Sequence, residues 1–174
     1  MVQRTDREFV AGLTMKKDEL KAEIQTLLNS QNSGMLSTFV SGESDAGSRD
    51  ATGYPFGSMI RYVVANDGAP LLMLSRIAEH SKHVAQQPNV SLLVSGESEE
   101  GADIQQVARL TILGELQRLE ADSDYVKENA DKYFQLFPES KEYFAMLDFD
   151  FYRLDIHKQR YIGGFARAHW IFAQ

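Results

Sequence analysis

The chain has 174 residues, no cysteine, and a formal net charge of −7 from 25 acidic and 18 basic side chains. This length suits one ordinary domain with a hydrophobic core of its own. The absence of cysteine excludes disulfide frameworks, thiolate zinc sites, iron–sulfur clusters and cysteine nucleophiles. The acidic balance argues against nucleic-acid binding, and no apolar run approaches the ~20 residues of a membrane span. Because residues 1–9 are too polar for a signal peptide, we expect a soluble, cytoplasmic protein.

The first half of the chain predicts a helix followed by strands. Residues 1–14 are mixed in character and are expected to form an N-terminal arm, so a single domain covers residues 15–174. From Met15, apolar residues recur at helical spacing and predict an amphipathic helix. β-Type composition then predicts strands over Gly34–Val40, Pro55–Ala65 and Leu71–Leu74. The Asn66–Gly68 turn makes a hairpin of the last two, because Asp-Gly tolerates the positive φ such turns need.

The second half mixes helices and strands. Helices are predicted over Ser75–Gln87, Ser123–Phe137 and Ser140–Leu147, and strands over Val90–Val94, Arg109–Leu119, Phe149–Ile156, Arg160–Phe165 and Ala168–Phe172. Ser41–Gly53 is predicted to be a flexible loop and Ser95–Gln106 an acidic one. Gly114 lies inside a predicted strand, which indicates a β-bulge or a close backbone approach. These connections favour an antiparallel sheet that closes on itself, so we predict a small β-barrel with peripheral helices, of the α+β class.

The junction Leu74–His83 carries the residues best suited to binding an anion. A strand is predicted to end and a helix to begin there, and helix N-termini attract anions through unpaired backbone N–H groups. The hydroxyls of Ser75 and Ser81 and the cationic heads of Arg76 and Lys82 complete a candidate phosphate site. In the alternative interpretation, Ser75 only caps the helix and Lys82 is solvated.

Arg61 lies in the middle of an otherwise apolar strand and is a further candidate for anion binding. An inward side chain there requires a carboxylate or phosphate partner, whereas an outward side chain requires none. Residue parity leaves both orientations open. If Arg61 faces the same side as the junction, the two form one anion pocket.

Four histidines are potential metal or haem ligands. His80 and His83 stand at i, i+3 on a predicted helix without a third ligand of matching type nearby, so we expect a surface or interface role and no metal site. His157 and His169 lie in the C-terminal strands. A structural role is the commoner one for such residues, although an axial haem ligand requires only one histidine.

The closing segment Arg160–Trp170 reads RYIGGFARAHW. Two glycines inside a predicted β segment allow a neighbouring strand or a flat ligand to approach the backbone closely. The aromatic side chains of Tyr161, Phe165 and Trp170 are suited to stacking on a ring system. The alternative interpretation is a barrel-closing strand with a bulge.

The segments Met59–Val64, Pro70–Val84 and Gln87–Val94 together resemble the pyridoxamine-phosphate-oxidase-related FMN-binding split barrels. More narrowly, the LSRIAEH stretch within the second segment and the closing segment resemble the haem-utilisation (HugZ-type) branch of that family. The resemblance implies a six-stranded antiparallel split β-barrel of the FMN-binding type. It also implies a homodimer, with the ligand in two equivalent clefts at the subunit interface.

The resemblance also implies a set of site residues. In flavin-binding relatives, an arginine on the second strand and hydroxyl and basic groups at the strand-to-helix junction hold the FMN phosphate. By position, the implied cofactor-binding residues are Arg61, Ser75, Arg76, His80, Ser81 and Lys82. The chain departs from the family pattern at the junction, where His80-Ser81-Lys82 stands in place of a basic pair.

A second departure concerns haem. Haem-degrading relatives take their axial histidine from a segment beyond the last barrel strand, and the sequence stops at Gln174, so we expect no such segment. If haem binds, either another axial ligand such as His157 or His169 serves, or the site differs from that of these relatives. The propionates are then expected to pair with Arg61, Lys82 or Arg167.

Three functions follow from these observations. The first is an FMN-dependent oxidoreductase, in which the flavin carries the electron chemistry. The second is a haem-binding or haem-oxygenase-like protein of iron utilisation, with a tetrapyrrole in place of flavin. The third is a non-catalytic dimer that acts through protein contacts, with the acidic loop around Glu97–Asp103 as its contact surface. We expect FMN as the cofactor, with haem as the alternative, and no motif predicts catalytic residues.

Overall fold

The computed structural model of the chain describes residues 17–41, 51–98, 100–101, 103–145, 148–164 and 167–172. Its strands are β1 (Ser33–Phe39), β2 (Pro55–Val64), β3 (Pro70–Ser75), β4 (Asn89–Ser95), β5 (Arg109–Arg118), β6 (Phe149–Ile162) and β7 (Ala168–Phe172). Its helices are α1 (Lys17–Ser30), α2 (Glu79–Gln86), α3 (Asp124–Leu136) and α4 (Ser140–Ala145), with a short 3-10 helix over Ile104–Gln106. The expected N-terminal arm and most of the loop after β1 lie outside the described residues.

The strands form one antiparallel sheet that closes into a barrel. Their order is β3-β2-β1-β4-β5-β6, and β3 also pairs with β6, which closes a ring of six strands. β7 pairs with the second half of β6 and lies outside this ring. The predicted six-stranded antiparallel split barrel with peripheral helices is therefore confirmed.

The buried apolar side chains form two hydrophobic clusters, one on each side of this sheet. One fills the barrel and continues under the apolar stripe of α1, and it includes the fully buried Leu36, Leu92, Leu110, Ile112 and Leu154. The other lies against α3 and includes Leu71, Met73, Tyr133, Phe137 and Phe151. β3 contributes to both clusters and is buried on both faces, which explains its uninterrupted apolar sequence.

Local signals account for most element boundaries. The hairpin at Asn66–Gly68 is confirmed, and Gly68 has the positive φ of 86° that the turn requires. α3 begins where Ser123 caps it, with the serine hydroxyl accepting a hydrogen bond from the Val126 N–H.

No helix within the described residues is long and apolar enough to cross a membrane.

α2 begins four residues later than the sequence pattern predicts. β3 runs on to Ser75, because that residue still pairs with Phe149 of β6. The N-cap residue of α2 is Ala78, which has no side-chain capping bond. The interpretation of Ser75 as the helix cap is therefore wrong, and its hydroxyl instead accepts a hydrogen bond from the Ile77 N–H at 3.3 Å.

β6 is a single strand of 14 residues where the pattern predicts two strands. The polar run His157–Gln159 interrupts the apolar alternation, which suggests a break in the sequence. In the structure, Lys158 pairs with Leu113 and Ile156 pairs with Gly114, so His157 is an extra, unpaired residue. β6 therefore continues through a β-bulge at His157.

Gly114 faces this bulge on the neighbouring strand. A Cβ atom on Gly114 would lie 2.0 Å from the carbonyl oxygen of Asp155, well inside any permitted contact. Both features that the sequence indicates at Gly114, the bulge and the close backbone approach, are confirmed.

Candidate functional site

The split of the barrel lies between β2 and β3. These strands pair over only three residues each, up to Leu72 of β3, whereas the pairing of β3 with β6 continues as far as Ser75. The earlier part of β2 therefore diverges from β3 and leaves a cavity of about 270 Å³, which we call the split cleft. It is lined by Met59, Ile60, Arg61, Met73, Leu74, Ser75, Ala78, His80, Tyr133, Ser140, Tyr143 and Phe149.

The split cleft brings together three of the six predicted cofactor-binding residues, Arg61, Ser75 and His80. The Arg61 side chain points outward from the barrel and is 54% exposed, which answers the question that residue parity leaves open. Nδ1 of His80 lies 3.2 Å from Oγ of Ser58. Burial, together with a smaller effect of His83, lowers the pKa of His80, so a neutral imidazole faces the cleft at pH 7.

The other three predicted residues do not line this cleft. Nε of Arg76 lies 3.6 Å from Oδ2 of Asp150, and Nζ of Lys82 lies 2.7 Å from Oε1 of Glu79. Ser81 is buried, with 4% of its surface exposed. The predicted set of six is thus divided between the cleft and its surroundings.

The guanidinium of Arg61 is engaged by a carboxylate. Its Nη1 donates a hydrogen bond to Oε1 of Glu139, and its Cζ lies 4.9 Å from the centre of the Phe137 ring. This hydrogen bond raises the pKa of Arg61 and lowers the pKa of Glu139. Sequence reasoning missed Glu139, because 78 residues separate the pair and no local pattern connects them.

A larger groove lies on the outer face of the barrel, across β1, β4, β5 and β6. Its volume is about 540 Å³, and we call it the outer groove. It is lined by Ser37, Thr38, Phe39, Pro55, Asn89, Val90, Ser91, Leu113, Gly114 and His157. Apolar side chains and small hydroxyls predominate, and none of these lining residues is a lysine or an arginine.

The bulge in β6 places two successive side chains on the outer face. Ile156 packs against the core, and Gln159 lies opposite the fully buried Ile112. Because both flanking residues face inward, His157 and Lys158 both face outward. The exposed imidazole of His157 thereby becomes part of the outer groove. The sequence signal for this placement is Gly114, on the strand opposite.

The closing segment ties the end of the barrel to α1. The Tyr161 hydroxyl donates to Oε2 of Glu23 at 2.9 Å, and Nη2 of Arg167 donates to both carboxylate oxygens at 2.8 and 2.9 Å. The hydrogen bond from Arg167 is the main cause of the lowered pKa of Glu23, and burial raises the pKa of Tyr161 to about 12. Tyr161 is therefore buried and hydrogen-bonded, which favours the structural interpretation of this residue over stacking on a ligand.

The two glycines of this segment lie in the turn between β6 and β7 rather than inside a strand. Gly164 has a positive φ of 105°, which favours glycine, and the Gly163 N–H donates to the Arg167 carbonyl at 2.9 Å. The predicted strand Arg160–Phe165 is therefore the end of β6, and Phe165 lies outside the described residues.

The remaining histidines occupy different environments. His83 is buried, with Nδ1 3.0 Å from Oγ1 of Thr38, so the surface role expected for it is wrong. Nε2 of His169 is buried and has no hydrogen-bond partner among the described residues. Within the same part of the chain, no group of three or more His, Asp or Glu side chains is arranged to hold a metal ion.

The split-barrel fold has counterparts among known proteins. The family model described as CREG, β-barrel, matches residues 16–174. The chain belongs to the CREG β-barrel family. At the level of family and fold, the resemblance of this CREG-family chain to split barrels of the haem-utilisation branch is confirmed.

Three similar proteins show how far the likeness extends. The chain is 31% identical over 148 residues to the chloroplastic non-canonical haem oxygenase HOZ of Arabidopsis thaliana, which is 84% of this chain but only 41% of HOZ. It is 27% identical to a haem-binding protein from Mycobacterium smegmatis, with a TM-score of 0.73 over 86% of this chain and 56% of that one. ChuZ of Campylobacter jejuni shares the fold, with 20% identity and a TM-score of 0.76 over 94% of this chain and 63% of ChuZ.

Proposed function

We propose that this protein binds haem in the outer groove, with His157 as the axial ligand. The observation that carries this proposal is the exposed imidazole that the β-bulge sets into a mostly apolar groove of about 540 Å³. This volume lies within the range of cofactor pockets, and one histidine is sufficient as an axial ligand. The similarity of the chain to the haem oxygenase HOZ and to the haem-binding protein of Mycobacterium smegmatis supports the same ligand.

The chemistry of the lining residues fits a porphyrin. Phe39 and Leu113 offer exposed apolar contact to a flat ring, and Ser37 and Ser91 add hydroxyls to the same lining. When bound, haem would supply redox chemistry at its iron, and the residues of the outer groove would bind and orient it. His169 is the weaker candidate for the axial ligand, because its Nε2 is already buried in the protein.

FMN-dependent oxidoreductase activity is the second candidate function. The meeting of Arg61, Ser75 and His80 in the split cleft favours it, because a guanidinium, a hydroxyl and an imidazole together suit a phosphate. However, Arg61, Arg76 and Lys82 each lie beside a carboxylate, and these carboxylates repel a phosphate dianion. The cleft as it stands therefore fits FMN less well than the outer groove fits haem.

We further propose that the protein is a homodimer that associates through the outer face of the barrel. Met35, Phe39, Met59 and Leu113 are exposed on this face, and Met59 is 74% exposed. Exposed apolar side chains grouped in this way are typical of an interface. Sedimentation velocity tests this proposal: we expect a dimeric wild type and a largely monomeric Met59→Glu variant, and a monomeric wild type would contradict it.

Haem titration followed at the Soret band tests the proposed function. We expect the wild type to saturate at one haem per chain with an intense Soret band. His157→Gln should lose this binding, whereas the matched variant His169→Gln should keep it. Wild-type affinity in His157→Gln would show that the proposed axial ligand is wrong, and a wild type without saturable binding would overturn the function itself. A parallel FMN titration, read by quenching of flavin fluorescence, tests the second candidate.

A further inference from the structure

Two basic and two aromatic side chains form a patch beside the outer groove. Across β6 and β7, Lys158 pairs with Phe172 and Arg160 pairs with Trp170, so all four side chains share the outward face. Trp170 is 47% exposed and Phe172 is 65% exposed. On its other side Lys158 pairs with Leu113, which lines the outer groove. This basic aromatic patch therefore continues the surface of the groove.

The aromatic rings hold the two cations in place. Nζ of Lys158 lies 4.1 Å from the centre of the Trp170 ring and 4.8 Å from that of Phe172, and Cζ of Arg160 lies 5.2 Å from the centre of the Trp170 ring. Such cation–π contacts orient a cation without neutralising its charge. Side chains that are already ordered lose less entropy when a ligand binds.

Neither cation of the patch is compensated by an acid in the part of the chain that the structure describes. Among the described residues, no carboxylate forms an ion pair with Lys158 or Arg160, in contrast to Arg61 and Arg167, which are paired with Glu139 and Glu23. The two residues therefore form a positively charged region on the surface of a protein whose net charge is −7. They suit an anionic ligand whose flat part lies in the groove.

The order of residues along β6 matches one class of ligand. Lys158 and Arg160 lie about 7 Å apart along the strand, and Arg160 lies within about 10 Å of His157. Haem has its iron at the centre of a flat ring and two carboxylate arms on one edge. The imidazole of His157 therefore corresponds in position to the centre of such a molecule. The two cations that follow it along the strand correspond to the edge that carries the carboxylates.

We propose that Lys158 and Arg160 bind the two carboxylates of the ligand in the outer groove, and that they select planar ligands with a pair of carboxylates on one edge. This inference rests on the proposed haem function and adds the groups that orient the ring. It differs from the expectation drawn from the sequence, which assigns the propionates to Arg61, Lys82 or Arg167. Each of those three cations has a carboxylate beside it.

A comparison of haem with its dimethyl ester tests the inference without altering the protein. The ester keeps the iron and the flat ring but carries no negative charge at the edge. We expect the wild type to bind haem about a hundredfold more tightly than the ester in a Soret titration, since each charge-assisted contact contributes about tenfold. Equal affinities would overturn the inference while the proposed function stood, and failure of both compounds to bind would overturn both.

Two variants assign the effect to the patch. Lys158→Ala and Arg160→Ala should each weaken haem binding about tenfold and leave the affinity for the ester unchanged. Lys132→Ala is the matched control, because it removes the same charge from an exposed position on α3. Unchanged haem affinity in both patch variants, or an equal loss in the control, would overturn the inference. Circular dichroism checks that each variant is folded.

Discussion

The split cleft and the outer groove differ in how their cations are compensated. In the cleft, Arg61 forms an ion pair with Glu139, and the neighbouring cations Arg76 and Lys82 lie beside carboxylates of their own. Next to the groove, Lys158 and Arg160 lie on aromatic rings and form no ion pair with a carboxylate among the described residues. A family pattern points to the cleft, but the local charge favours an anionic ligand at the groove. The acid beside a cation is thus as informative about ligand class as the cation itself.

The largest effect is expected from a substitution of Gly114, which lines the outer groove but not the split cleft. Gly114→Ala places a Cβ atom 2.0 Å from the Asp155 carbonyl oxygen, so β5 and β6 must move apart at the bulge. We expect the free energy of unfolding to fall by about 3 kcal/mol. Haem binding should be lost as His157 moves, while the split cleft is unaffected. Urea denaturation and Soret titration measure the two effects.

Gly57→Ala is the matched control for this substitution. Its added Cβ meets only the flexible end of Met35, at 3.4 Å, so a change of less than about 1 kcal/mol is expected. If Gly114→Ala were as stable as Gly57→Ala and bound haem normally, the bulge would not be what forms the groove.

An intermediate effect is expected at Glu23, which holds the hairpin of β6 and β7 to α1. The pKa of Glu23 is lowered from 4.5, mainly by the hydrogen bond from Arg167, so the folded protein binds this proton less tightly than the unfolded chain does. The stabilisation is therefore present at neutral pH and is lost as the pH falls below 4.5 through the folded pKa. Glu23→Gln should lower the free energy of unfolding at pH 7 by about 0.5–1 kcal/mol.

Urea denaturation at several pH values measures this effect. The difference between Glu23→Gln and the wild type should shrink at acidic pH, whereas Glu128→Gln, which changes an exposed acid on α3, should behave like the wild type. A difference that stayed constant down to pH 3 would show that the charge of Glu23 is not the cause.

The smallest effect is expected at the split cleft. Glu139→Gln removes the charge that compensates Arg61, and it should raise the affinity for FMN by no more than about fivefold, because the ion pair is exposed. Fluorescence quenching of FMN measures this change, with Glu142→Gln of α4 as the control. Haem affinity should stay at the wild-type value, and a loss of haem binding in Glu139→Gln would contradict the separation of the two sites.

The sequence predicts those parts of the fold that depend on short-range signals. The apolar stripe of α1 and the Asn66–Gly68 hairpin are confirmed because each signal lies within a few residues. The helix at the junction is predicted to begin at Ser75 because serine is a common N-cap residue, yet the pairing of Ser75 with Phe149 keeps it extended. Long-range strand pairing outweighs local preference at that position.

The candidate site was less predictable for the same reason. The contact between Arg61 and Glu139 joins residues that are 78 positions apart, and no pattern in the sequence indicates it. The outward orientation of His157 depends on a bulge whose only sequence signal, Gly114, lies on another strand. Both features become visible only once the register of the strands is known.

An iron anomalous difference map from crystals of the haem complex would show directly whether haem binds in the outer groove. We expect one iron per chain, in the outer groove and bonded to the imidazole of His157, with the ligand carboxylates next to Lys158 and Arg160. Iron in the split cleft beside His80, or bonded to any residue other than His157, would contradict it.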